Sequence, residues 1–487
     1  MHRFKLGFPD IVFIAVFAIA LASGSQMLSI DSDLGRHLAL GKYMLDERII
    51  PTDDLLSHTR TGLSRPPYEW LSQVIFTLTY RLLSLDGVIL VTGFFLAATF
   101  TLVYKFSNHR SASPILSLLI TFLAMGASII HWLPRPHIIT FFFIAIWIEC
   151  IEKLVNNEMK NKLYVFPIIM IFWANLHGGF IFGILIWAAY FAGWLWESWQ
   201  GKINRKNGKD LAIVGIVSLI TTAITPDLWH NWNAVLNNRS AFTLNRTVET
   251  MRPDLSDLSI IPYTLLLALT IIFFIVSRKT IKSNQLIMLI GLGIMSLLMA
   301  RNIPLFAIAC TPILSDLVNK HLSKFNTWER INERFTGFRT ASTLSIWSVA
   351  ATMITVIYFA TFNFKHKHAI YHFDPTVFPV AATAFLQQNH LKGNMFNEFN
   401  WGGYLEYKLF PGNKVFLDSQ SDFYGESLMR EYDQLMSTDG DWMNLLDIYQ
   451  VEWVIISNDS PLATAISNNE NWDIVYKDPT SIIGIKK

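Results

Sequence analysis

The chain has 487 residues, 52% of them hydrophobic and only 16% charged, with a mean hydropathy of +0.34. Soluble domains carry about 25% charged residues, so the composition argues against a cytosolic enzyme of ordinary make-up. The net charge of +2 hides a split: residues 365–487 hold 9 Lys and Arg against 16 Asp and Glu, and the remainder holds 30 against 21. A basic, apolar body joined to an acidic tail reads as a transmembrane domain over 1–364 followed by a soluble domain over 365–487. No basic stripe marks a nucleic-acid partner. Cys150 and Cys310 both lie in apolar stretches, so no disulfide framework is present.

In chain order, charge-poor runs fall at 11–30, 87–104, 111–134, 136–148, 161–196, 211–226, 258–277, 283–300, 302–315 and 340–364. A span needs about 20 apolar residues at 1.5 Å each to cross the hydrocarbon. The run 161–196 is too long for one helix and breaks at Asn175-Leu176-His177-Gly178-Gly179, a turn signal. The pattern therefore predicts about 11 transmembrane helices. Basic residues cluster in alternate loops: Arg3 and Lys5; Lys105 and Arg110; Lys153, Lys160 and Lys162; Lys202, Arg205, Lys206 and Lys209; Arg278, Lys279 and Lys282; Lys320 to Arg339. The positive-inside rule puts the N-terminus in the cytoplasm, and 11 spans then put the acidic domain outside. Arg3 and Lys5 before an apolar stretch ending Ala20-Leu21-Ala22 also fit a cleaved signal peptide; the later loops face the same way in either reading.

The first outer loop, 31–67, is the most informative segment. It opens Asp31-Ser32-Asp33, and Leu34, Leu38, Gly41 and Leu45 then recur near helical spacing among Arg36, Lys42, Asp46 and Glu47. This reads as an amphipathic helix lying on the membrane surface. A turn at Ile50-Pro51-Thr52-Asp53-Asp54 follows, and then Arg65-Pro66-Pro67-Tyr68-Glu69-Trp70.

This order resembles the GT-C superfamily of polytopic glycosyltransferases, in particular the protein O-mannosyltransferase and aminoarabinose-transferase branch. Asp33 and His37 match that branch's acidic motif at the outer end of the first span. Arg65, Pro66, Pro67 and Trp70 match its basic residue before Pro-Pro and its following Trp, and Leu85-Asp86-Gly87-Val88 matches its next element. The likeness covers about residues 9–106. It departs where the family often has Asp-Glu, because Asp33 is followed by Leu34; the catalytic place is therefore open to Asp33 or Asp31. The resemblance implies a polyprenyl-phosphate-linked sugar donor, an acceptor on the outer face (glycan, lipid or protein), and residence in a bacterial inner membrane as part of cell-envelope synthesis.

Such a reaction needs a carboxylate to deprotonate the acceptor hydroxyl, a contribution of typically 10²–10⁴-fold. It also needs cations on the departing phosphate, where the arginine fork is favoured. Asp33 and Asp31 are the candidate bases, with capping of the surface helix the alternative role for Asp33. Arg65, Arg135, Arg301 and His137 are candidates for the donor phosphate. His37, Asp54, Glu69, Trp70, His177 and Asn302 are candidates for lining the cavity, and the loop 227–257, with Arg246 and Glu249, for a lid. Asp-x-Asp by itself suggests a divalent cation, but three residues are a weak signal; the resembling branch does not generally depend on a metal, so no cofactor is expected. Two other classes stay open: a non-catalytic membrane assembly or polymer-handling subunit with this fold, and a secondary transporter, which should instead place its charges at the midplane.

The acidic domain alternates helix signals (376–389, 401–409, 427–436, 442–449) with strand signals (393–397, 414–417, 451–457, 472–476, 482–485). This predicts a small α/β domain with a mostly parallel sheet. Asp418, at the end of the expected strand 414–417, is its one candidate site residue, for acceptor recognition.

Overall fold

The computed structural model describes residues 6–201, 206–236, 240–244, 246–335 and 346–487. Arg3, Lys5, Lys202, Arg205 and Arg339, used above for orientation, lie outside them. The helices, in order, are α1 (Phe8–Ala22), α2 (Gly24–Ile30), α3 (Asp33–Glu47), α4 (Trp70–Ser111), α5 (Pro114–Ser128), α6 (His137–Val155), α7 (Val165–Leu176) and α8 (Phe180–Trp199). They continue as α9 (Lys206–Thr221), α10 (His230–Leu236), α11 (Ala241–Leu244), α12 (Ile261–Val276), α13 (Ser283–Leu298), α14 (Ile303–Leu322), α15 (Asn326–Phe335) and α16 (Ile346–His366). The acidic region holds α17 (Val380–Asn389), α18 (Gly402–Leu409), α19 (Ser421–Ser437), α20 (Trp442–Ile448) and α21 (Pro461–Ser467). Its strands are β1 (Asn394–Asn397), β2 (Val451–Ser457), β3 (Trp472–Lys477) and β4 (Ser481–Lys486).

Every charge-poor run falls on a helix, and the long run divides at residues 177–179 into α7 and α8. Among the described residues six helices are long and apolar enough to cross a membrane, or seven when α1 and α2, bent by 52°, are taken as one span. The chain is built as an integral membrane protein. The largest of the six, α4, is broken at Leu83 and Ser84, whose φ of 57° is left-handed. Its first part packs against α3, and its second joins α1, α5, α6 and α14 in the core.

The helix over 33–47 forms, and much of it is buried within the protein. Its residues Asp33 to Ala39, Gly41 and Met44 are buried, because α3 is held between α4 and α18. Glycines permit this on both sides. A Cβ on Gly35 would stand 2.1 Å from the Gly403 carbonyl oxygen, and one on Gly41 would stand 2.3 Å from the Gln73 carbonyl oxygen. The amphipathic pattern is thus real, but it is divided: Asp33, Arg36 and His37 turn toward other parts of the protein, while Lys42, Asp46 and Glu47 stay exposed.

The sheet has the order β1-β2-β4-β3, with β1–β2 parallel and both β2–β4 and β4–β3 antiparallel. It is mixed, not mostly parallel. The cause is local: Asp478 Oδ1 accepts from the Thr480 and Ser481 amides at 2.8 and 2.6 Å, which turns the chain within three residues, and so short a connection joins only antiparallel strands. Residues 414–417 are also not a strand of this sheet. Val415 instead pairs with the first outer loop, its amide donating to the Leu56 carbonyl and its carbonyl accepting from the His58 amide, both at 3.0 Å.

Candidate active site

The Asp31–Asp33 segment marks the junction of α2 and α3. Asp31 Oδ1 accepts from the Asp33 amide at 2.9 Å, so Asp31 does the capping expected of Asp33, and the Asp33 side chain is left to other partners. Arg135, in the turn before α6, reaches both carboxylates. Its guanidinium chelates Asp31, lies 3.1 Å from Asp33 and donates to Glu249 at 3.2 Å. Ser419 Oγ donates to Asp33 Oδ1. Burial pushes the Asp33 carboxyl up to about 6, against the opposing pull of Arg135 and Arg36.

From Asp33 a ladder of alternating charge runs toward the soluble region. Arg36, on α3, stands 3.8 Å from Asp33 and 3.6 Å from Asp418. Arg65 pairs with Asp418 and with Asp54, each at 2.7 Å. Gln420 Oε1 accepts from both arginines, at 2.9 Å from Arg36 and 2.8 Å from Arg65. The side chains of Asp54 and Asp418 are fully buried and that of Arg65 is 9% exposed. Burial opposes ionisation of Asp418, but Arg65 and Arg36 outweigh it and hold the carboxyl well below its usual range. Glu406, buried on α18, moves the other way: burial and the Asp418 charge lift it well above the carboxylate range.

Glu69 stands apart from this ladder. His37 Nδ1 is 3.9 Å from Oε2, and His177 Nε2 is 3.6 Å from Oε1. Both imidazoles are neutral: burial and then Arg36 hold His37 well below its ordinary value, and burial and then Arg301 bring His177 down to about 3. The His177 tautomer follows from its surroundings. Nδ1 accepts from the Gly179 amide at 3.0 Å and lies 2.7 Å from Thr140 Oγ1, so the ring proton sits on Nε2, toward Glu69. Burial raises the Glu69 carboxyl to about 7, with Arg36 opposing.

A narrow surface cleft opens beside these groups, lined by Arg36, Asp53, Asp54, Arg65, Tyr68, Glu69, Gln73 and Gln420 together with Leu40, Leu55 and the prolines 51, 66 and 67.

The structure therefore gathers Asp31, Asp33, His37, Asp54, Arg65, Glu69, Arg135, His177 and Asp418 into one linked polar centre. Arg301 borders it, close enough to act electrostatically on His177 and Glu249. Three candidates are turned to other partners. His137 stacks on His131 at 4.0 Å, with Nε2 2.9 Å from the His131 carbonyl oxygen. Trp70 donates to Asn175 at 2.7 Å, and the Asn302 amide donates to the Met295 carbonyl at 3.0 Å. Asp418 does not end a sheet strand; it anchors two arginines. Sequence reasoning missed Arg36, Ser419 and Gln420. Arg36 sits three residues beyond Asp33, so helical spacing was the signal available for it; the other two are joined to the centre only by tertiary folding. In the loop 227–257, Glu249 meets Arg135, while Arg246 pairs with Asp433 of α19 at 2.6 and 2.7 Å. Among the described residues no group of three His, Cys, Asp or Glu side chains is placed to hold a metal ion.

No protein-family profile and no curated protein matches the chain. Solved structures do. The archaeal oligosaccharyltransferase AglB from Archaeoglobus fulgidus, in complex with an inhibitory peptide and a dolichol-phosphate, superposes with a TM-score of 0.62 at 10% identity over 91% of this chain and 69% of that one. The same enzyme in its apo form gives 0.60 with the same identity and coverage. The chain has the GT-C fold. ArnT from Cupriavidus metallidurans in the apo state is similar over 97% of both chains at 12% identity, with a TM-score of 0.47. Within the GT-C scaffold of this chain, the polar centre lies where α3, the start of α4, the α7–α8 turn and the soluble region meet.

Proposed function

We propose that the chain is a glycosyltransferase that moves a sugar from a polyprenyl-phosphate-linked donor to an acceptor hydroxyl on the outer face of the membrane. One observation carries the reading: on a GT-C fold, two carboxylates at the junction of α2 and α3 share one arginine, Arg135, in a buried centre that also holds Arg36, Arg65 and a carboxylate between two neutral histidines. The AglB structure containing dolichol-phosphate makes a lipid-linked donor the natural choice. In this reading a carboxylate takes the acceptor proton, Asp33 being the first candidate and Asp31 the second. Arg135, Arg65 and Arg301, with His137 nearby, stabilise the phosphate as it leaves. The arginines meet the need for cationic charge, so the reading calls for no cofactor; activity unchanged by EDTA is the expected result. The soluble region, through Asp418, serves the acceptor side, and the protein resides in the cytoplasmic membrane with that region outside.

The test uses purified protein, a panel of polyprenyl-phosphate sugars and a total cell extract as acceptor source. Release of polyprenyl phosphate by the wild type, reduced at least 100-fold by Asp33→Asn, is the expected outcome. Neither turnover nor donor binding would instead favour an assembly subunit that has kept the fold, whereas donor binding without turnover would point to an acceptor missing from the extract.

A further inference from the structure

Asp33 is poorly placed to receive a proton. Oδ1 already accepts from Ser419 and Oδ2 lies 3.1 Å from Arg135, so an incoming hydroxyl competes with a close donor at each oxygen. Glu69 is arranged differently. Its contacts with His37 and His177, at 3.9 and 3.6 Å, are longer than hydrogen bonds, so among the described residues neither oxygen is committed to a donor. It lines the cleft, and Asp33 does not. The cleft walls suit a polyhydroxylated molecule: Asp53 and Gln73 offer hydroxyl acceptors, and Tyr68 with Pro66 and Pro67 offers an apolar face.

Resting on the glycosyl-transfer reading above, we propose that Glu69 is the general base and that Asp33 is the residue that fixes Arg135 and Arg36. The acceptor, a sugar hydroxyl, enters by the cleft and hydrogen-bonds to a free oxygen of Glu69. As the acceptor oxygen bonds to the anomeric carbon, its proton passes to Glu69. The bond from that carbon to the phosphate oxygen breaks, with the electron pair leaving on the phosphate. The proton then returns to solvent through the cleft. His177, its Nδ1 held by Gly179 and Thr140, keeps its Nε2 3.6 Å from Glu69, beyond hydrogen-bond reach in the resting site; it is a positioning residue.

The pH dependence separates the two carboxylates. The charged and titratable groups facing Glu69 are His37, His177, Arg36, Asp33, Arg135 and Asp422. Burial sets Glu69 at about 7 and Asp33 at about 6. A base works when deprotonated, so the rate should rise with pH through the value belonging to the base. The experiment measures polyprenyl-phosphate release against pH in the wild type, Asp33→Asn, Glu69→Gln and Glu69→Asp, and equilibrium binding of radiolabelled polyprenyl phosphate to each.

The expected result is a wild-type midpoint near 7 that Asp33→Asn retains. Glu69→Gln should lose at least 100-fold in kcat with lipid-phosphate binding unchanged, and Glu69→Asp should keep part of the rate. A midpoint near 6 that disappears in Asp33→Asn, or a Glu69→Gln variant within tenfold of the wild type, overturns the assignment and leaves glycosyl transfer standing. A wild type that turns over no donor overturns both. Where Glu69→Gln fails to fold, the rate and pH midpoint of Glu69→Asp decide the matter.

Discussion

Asp418 contacts two guanidinium groups and is itself inaccessible to water, so its charge is tied to theirs. Removing one partner of a buried ion pair leaves the other uncompensated, at a cost of about 3–5 kcal/mol. Asp418→Asn is therefore expected to destabilise the protein by that order, because Arg65 and Arg36 both depend on it. Thermal unfolding of the detergent-solubilised protein measures this. A second residue-scale prediction concerns pH. Asp33 at about 6 and Glu69 at about 7 both sit above their unfolded values, so between about pH 4.5 and 7 the folded state binds more protons than the unfolded chain. Linkage then makes stability fall as pH rises through this window. His37 and His177, held neutral well below their ordinary value, pull the other way below about pH 6.5, so the test is the difference between proteins: on going from pH 7.5 to pH 5 an Asp33→Asn, Glu69→Gln double variant should lose more Tm than the wild type. An equal loss in the two proteins would mean that other groups govern the acid response.

At the scale of elements, α3 is the part on which the site depends. It carries Asp33, Arg36 and His37, and it lies so close to α18 and α4 that only glycine fits at residues 35 and 41. Gly35→Ala places a methyl group against backbone, which cannot rotate away, and overpacking of this kind costs about 1–3 kcal/mol. It should lower both the Tm and the turnover, since α3 and the segment bearing Ser419 and Gln420 are pushed apart. Gly291 on α13 is the control: a Cβ there meets nothing within 4 Å, so Gly291→Ala should leave the Tm undiminished. The apolar period of α3 was legible in the sequence, as were the 177–179 break and most helices and strands of the acidic region. The burial of Asp33, Arg36 and His37 was not, because a charged stripe reads the same whether it faces water or a complementary set of charges. Residues 414–417 were misplaced for a related reason: an apolar extended segment shows its conformation in its residues but not the edge it pairs with.

At the scale of the whole molecule, the loop charges predict which way the assembly faces. In intact spheroplasts, a cysteine at the exposed position Asn468 should react with a membrane-impermeant maleimide, while one at Lys279 should react only after the membrane is opened. The reverse pattern would invert the topology and place the reacting centre inside. Background is low, because Cys310 is buried and Cys150 half-buried.

Composition and charge-poor runs determined that this is a membrane protein with an acidic C-terminal region, and the order Asp-x-Asp, Arg-Pro-Pro, Trp gave the resemblance to the GT-C fold. Those properties come from local transfer energies and short spacings, which a single sequence carries in full. The tertiary structure alone decided that Asp418, Ser419 and Gln420, more than 380 residues from Asp31 and Asp33, complete the centre. It also decided that the Asp33 oxygens are occupied and that Glu69 faces the cleft between two neutral histidines. Pairing and burial of charge depend on which distant segments meet, and spacing along the chain does not encode that.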